Sequence, residues 1–65
     1  MDFMYMLGQR EVSRDEMAFF LTQFYGGDPY NNIAFFEEEA MRYFGYSGSS
    51  LYTDARSGAS IVRRW

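Results

Sequence analysis

The sequence predicts an α+β domain: a two-helix hairpin packed on a short antiparallel sheet. Three observations carry this expectation. Residues 13–25 and 29–44 each show apolar side chains at helical spacing between start and stop signals. A β-friendly run at 2–7 and a strand-turn-strand pattern at 50–64 flank them. The helices are joined through Gly26-Gly27, a connection short enough to make them neighbours. The expected order is β-α-α-β-β, with an all-α core carrying a β-hairpin tail as the alternative. A chain of 65 residues makes one domain.

The first strand reads DFMYML. Alternation puts Phe3, Tyr5 and Leu7 on one face and Met4 and Met6 on the other. Both faces are apolar, so a strand covered on both sides is expected. A helical start is the competing reading for so short a run. Gly8 to Glu11 reads as a turn or loop.

Ser13 with Glu16 three residues on is a capping box, the strongest local signal in the chain. Asp15 and Glu16 also suit the positive end of the helix dipole. Met17, Phe20, Leu21 and Phe24 form the predicted core stripe, and Phe19 falls opposite it. The second helix opens on Asp28-Pro29, an acceptor for free amides followed by a residue suited to the first helical position. Its stripe is Ile33, Phe36, Ala40, Tyr43 and Phe44, extended by Pro29, and Gly45 is expected as a left-handed cap. Glu38, Glu39 and Arg42 fall on the far side, with Glu38 and Arg42 four apart. Phe35 points outward with Glu38 and Arg42, whereas Glu37 leans toward the apolar face.

Residues 46–50 read as a flexible connector. Leu51 to Thr53 and Ala59 to Val62 have strand content, with turn chemistry at Asp54 to Gly58. The last strand puts Ile61, Arg63 and Trp65 on one face and Val62 and Arg64 on the other; a frayed tail is the alternative.

Composition narrows the function. With no Cys and no His, disulfides, thiolate chemistry, the usual zinc sites and the commonest general base are all absent. Seven Phe, six Tyr and one Trp are too many rings for the interior of so small a chain, which buries only about 60% of its unfolded surface. Some rings must face outward, which favours an interface. The net charge of −3 argues against a phosphate-binding surface, and all six cations are Arg, the residue suited to planar bidentate contacts. No apolar run approaches the roughly 20 residues of a membrane span, and Asp2 is unlike the basic start of a signal peptide. A cytoplasmic location is therefore expected.

The only carboxylate cluster is Glu37-Glu38-Glu39. Consecutive helix positions point about 100° apart, so these three do not converge on one metal or one substrate atom. Glu37 alone, if buried, would be a catalytic candidate with a raised pKa; the structural reading is a boundary residue that reaches solvent or pairs with an Arg of the hairpin. Ser47 to Ser50 lacks a phosphate-loop fingerprint, and Asp28, Asn31 and Asn32 do not have calcium-loop spacing. A non-enzymatic chain with no cofactor and no metal is expected. A helix-turn-helix role is disfavoured because the second helix carries three Glu and one Arg. The tail Arg63-Arg64-Trp65 keeps nucleic-acid binding as a second alternative.

Protein binding fits best. The candidate partner-facing residues are Asp15, Glu16, Phe19, Phe35, Glu38, Glu39, Arg42 and Trp65, a mix of carboxylates, exposed rings and Arg. The expected partner is a protein with a basic surface made for nucleic acid. Homo-oligomerisation as a structural or assembly protein is the alternative. In size, acidity and lack of motifs the chain resembles small phage-encoded inhibitors of host machinery, anti-CRISPR proteins among them. That resemblance implies a stoichiometric blocker without a cofactor and assigns a role to no particular residue.

Overall fold

A computed structural model describes residues 2–47 and 51–64. It contains strands β1 (Asp2–Leu7), β2 (Arg10–Val12), β3 (Leu51–Thr53) and β4 (Ala59–Arg64). Helices α1 (Arg14–Tyr25) and α2 (Pro29–Ser47) lie between β2 and β3 in the chain. The fold is α+β. The sheet is antiparallel throughout, in the order β2-β1-β4-β3, so the N-terminal strand does pair with the C-terminal hairpin.

One strand was not anticipated. Gly8 to Glu11, expected as a turn or loop, instead closes a two-residue hairpin in which Leu7 faces Arg10 and Tyr5 faces Val12. Gly8 takes φ 65°, the left-handed value that the first central residue of a type II′ turn requires. Gly-X between two extended runs is the signal for this turn, and it stands in the sequence at Gly8-Gln9.

Local chemistry explains the helix ends. Ser13 Oγ accepts from the Glu16 amide at 3.1 Å. The reciprocal half of the capping box does not form, because the Glu16 carboxylate turns to Arg10 at 3.3 Å. Gly26 closes α1 at φ 79°, its amide donating to the Thr22 carbonyl. Asp28 Oδ1 accepts from the Tyr30 amide at 2.8 Å and starts α2. Asn32 then bridges the two helices, its Nδ2 donating to Gly26 O at 2.8 Å and to Thr22 Oγ1 at 3.2 Å. At the other end of α2 the expectation fails. Gly45 has no positive φ and sits inside the helix, which continues to Ser47. The buried Phe44, stacked on Phe3 at 6.1 Å, holds this last turn against the sheet and offsets the glycine penalty. The expected connector thus begins as helix at Tyr46 and Ser47, and its remainder, 48–50, lies outside the described residues.

The core is a single layer between the helices and one face of the sheet. Tyr5, Val12, Ala59 and Ile61 come from the strands; Met17, Ala18, Leu21, Ile33, Phe36, Ala40 and Phe44 come from the helices. Phe3, Leu7, Phe20 and Tyr52 pack against its rim. Two stripe assignments shift. On α1 the buried set is Met17, Ala18 and Leu21, and Phe24 is half-exposed, meeting Phe20 and Tyr25 instead. The small side chain of Ala18 on this face leaves room for close helix packing, which larger rings would not. On α2, Tyr43 is also about half-exposed, resting edge-on against Phe44 and Tyr52.

The opposite face of the sheet carries Met4, Met6, Leu51 and Val62, with Met4 and Leu51 both facing Val62 across the ladders. The expected cover on both sides is not found: no described helix or strand lies over this face. The one described helix hairpin covers a single side of the sheet.

Replacing Phe36 or Phe44 with Ala is expected to cost about 3–5 kcal/mol, enough to unfold so small a domain. Phe19→Ala and Phe35→Ala, at exposed positions, are expected to stay within about 0.5 kcal/mol of the parent. Urea unfolding of the four variants checks this ordering, and equal losses at all four would refute the facing described here.

Candidate functional site

Glu37 was the one carboxylate with a catalytic reading, and the structure binds it fully. Arg14 at the start of α1 forks onto it, Nε to Oε2 at 2.9 Å and Nη2 to Oε1 at 3.0 Å. The Tyr5 hydroxyl of β1 donates to the same Oε2. The partner is thus Arg14 of the first helix, not an Arg of the C-terminal hairpin. Burial opposes the charged form of Glu37, but the hydrogen bonds from Arg14 and Tyr5 and the charge of Arg14 outweigh it, so its pKa lies below the ordinary carboxylate value. The raised pKa that a buried catalytic Glu would show is not present. Tyr5 shifts upward, through burial first and then through its bond to Glu37. Arg14 is driven further toward its charged form by the same carboxylate. Both carboxylate oxygens are occupied and the charge is stabilised. Such a group ties β1, α1 and α2 together and is poorly placed to move a proton.

Among the described residues, no group of three or more acidic side chains could hold a metal ion. No described helix is long and apolar enough to cross a membrane.

The outward surface is built on the two helices. Phe19 and Phe35 stand 64% and 65% exposed. They do not share a hollow. Phe19 flanks a shallow recess with Asp15, Ala18, Pro29 and Tyr30, and Tyr30 is itself 75% exposed. Glu16 is exposed one residue further on, held by Arg10. On α2, Arg42 serves two carboxylates, Glu38 at 3.2 Å and Glu39 at 3.1 Å, which leaves that turn net acidic. Glu39, expected outward beside Glu38, instead leans toward the sheet and is only partly exposed. The cause is its place one turn after Phe36, above Tyr52 of β3. Trp65 lies outside the described residues.

Phe35 and Glu39 belong to a groove of about 380 Å³ between the helices and the β3–β4 hairpin. Leu21 and Phe36 make its floor, and Phe36 meets Tyr52 edge-on at 5.5 Å. Tyr25 of α1 reaches across and donates to the Asp54 carboxylate at the hairpin turn. Asp54 is itself held by the turn, accepting from the Arg56 amide at 2.9 Å. Arg56 completes the lining. The groove continues past Glu39 and Tyr52 to Arg42 and Tyr43. Burial raises the pKa of the Tyr52 phenol, and the charges of Asp54 and Glu39 raise it further. Tyr25 shifts the same way, through burial and then its bond to Asp54.

Sequence reasoning missed Tyr25, Tyr30, Tyr52 and Asp54. Asp54 reads only as turn chemistry, Tyr25 only as the end of a helix and Tyr52 only as part of a strand, until the hairpin is folded against α2. No protein family, no curated protein and no solved structure matches this chain.

The depressed pKa of Glu37 carries a pH signature. Its contribution to stability is present above about pH 4.5, its ordinary value, and is lost as pH falls through the lower folded value. Glu37→Gln is expected to cost about 1–3 kcal/mol at neutral pH and to flatten the loss of stability below pH 4.5. Denaturant midpoints at pH 7 and in acid test this; an unchanged acid slope in the variant would reject it.

Proposed function

We propose that this chain is a non-enzymatic protein-interaction module: a small acidic inhibitor or adaptor that covers a basic, nucleic-acid-binding surface of another protein. The reading rests on one observation. Large apolar side chains stay outside the core, Phe19 and Phe35 foremost, and carboxylates stand beside them. Exposed rings beside charges are the makings of an interface hot spot with a polar rim. The acidity steers such a surface toward a basic partner and away from phosphates. A stoichiometric blocker of the phage-encoded, anti-CRISPR-like kind needs no more chemistry than this.

A pull-down from native host extract is expected to retain a nucleic-acid-binding protein and to release it when nucleic acid is added as competitor. Phe19→Ala and Phe35→Ala are each expected to weaken capture about tenfold or more while leaving the fold intact. Glu38→Arg is expected to weaken it through charge alone. Capture unaffected by all three variants and by competitor would remove the reading.

A second reading, homo-oligomerisation, is favoured by the sheet face bearing Met4, Met6, Leu51 and Val62, over which no described helix or strand lies. Leu51, at 48% exposed, is the residue to change. In that reading, light scattering shows the mass rising with concentration, and Leu51→Lys returns the chain to a monomer. A parent that remains monomeric at high concentration rejects it.

A further inference from the structure

We infer that the groove between α2 and the β3–β4 hairpin is a receptor for one cationic side chain, arginine or lysine, projecting from the partner. The inference rests on the proposed function for the partner's basic character; the groove's own chemistry supplies the rest.

Three properties converge in the cleft. Its lining is aromatic: Tyr25 from α1, Phe35 and Phe36 from α2, and Tyr52 from β3. Ring faces attract ammonium and guanidinium groups, more strongly where water is excluded. Its charge is carboxylate: Glu39 comes from the helix and Asp54 from the hairpin turn, two separate elements that bracket the space between them. A carboxylate beside a ring is the combination that distinguishes a cation receptor from a plain apolar slot. Its size is suitable, since about 380 Å³ lies at the small end of ligand clefts, about 300–1,000 Å³.

The two described cations at the groove do not fill this role. Arg42 pairs with Glu39 at 3.1 Å, but its side chain is 58% exposed, and such a pair is weak enough to be exchanged for a more desolvated one. Arg56 lines the groove yet is exposed, and its backbone amide rather than its guanidinium is what binds Asp54. The local field remains negative at Tyr52, where Asp54 and Glu39 both favour the protonated phenol. A planar guanidinium entering between Phe35 and Tyr52 would meet rings along its faces and carboxylates at its edges. Lysine would take the same place as a point charge.

The groove can be probed without the partner. The full chain is titrated with N-acetyl-arginine amide, and the ring resonances of Tyr25, Phe35 and Tyr52 are followed by NMR. N-acetyl-citrulline amide, the neutral isostere, and N-acetyl-glutamate amide serve as controls. The arginine compound is expected to shift these rings in a saturable way, with the citrulline compound clearly weaker and the glutamate compound silent. Glu39→Gln is expected to weaken binding about three- to fivefold, the scale of one exposed charge or cation–π contact. Arg56→Ser, which removes a competing positive charge, is expected to strengthen it. Equal response to citrulline, a stronger response to the glutamate compound, or no shift of these rings at tens of millimolar would overturn the inference. Partner capture that persists while the probe fails would sink the groove and leave the proposed function standing. Probe binding without any captured partner would do the reverse.

Discussion

A four-stranded sheet has two faces, and this chain brings a single helix hairpin to cover them. Strict alternation along β1 and β4 then sorts every strand residue. Tyr5, Ala59 and Ile61 go under the helices, whereas Met4, Met6 and Val62 go to the side that no described helix or strand covers. The one enclosed layer is filled by Met17, Leu21, Ile33, Phe36 and Phe44, with Ala18 and Ala40 where packing is tightest. Rings beyond that number have no interior to enter. Their outward placement follows from geometry, and it is what makes the surface a candidate for recognition.

The helix hairpin is positioned on the sheet by a polar node as well as by the core. Glu37 receives a fork from Arg14 and a hydroxyl from Tyr5, so one carboxylate joins both helices to the central strand pair. Charge-assisted bonds of this kind are directional in a way that apolar packing is not. Together with the buried stripe of Ile33, Phe36, Ala40 and Phe44 they fix the rotation of α2 about its axis. That rotation in turn carries Phe36 onto Tyr52, lays Glu39 over the β3–β4 hairpin, and turns Phe35 and Glu38 to solvent.

The proposed surface therefore has two characters. The outer helix faces present isolated rings and partly paired carboxylates, suited to broad contact with a basic protein. The groove at the hairpin is concave and combines rings with carboxylates from separate elements, suited to one side chain. Tyr25 and Asp54, bonded to each other, hold its far end closed. The Tyr25–Asp54 bond and the fixed turn around Asp54 keep that end in place before any partner arrives.

The boundaries of α1, the start of α2 and the outward aspect of Phe19 and Phe35 could be read from the chain, because capping and helical periodicity are interactions within a few residues of each other. The same holds for the Asp54 turn. The β1–β2 hairpin was written at Gly8-Gln9 but was too short a signal to separate from a loop without its partner strand. Other features lay beyond any local reading. Gly45 continues a helix because Phe44 is pinned by Phe3, some forty positions earlier. The pKa of Glu37 lies below its ordinary value because Arg14 and Tyr5 reach it from other elements. The groove exists only where α1, α2 and the C-terminal hairpin meet. Sequence by itself determined the two helices, three of the four strands and the main apolar stripes. Tertiary structure alone decided which charges meet which rings, because those pairs are distant along the chain and their energies depend on separation and burial, neither of which a linear pattern contains.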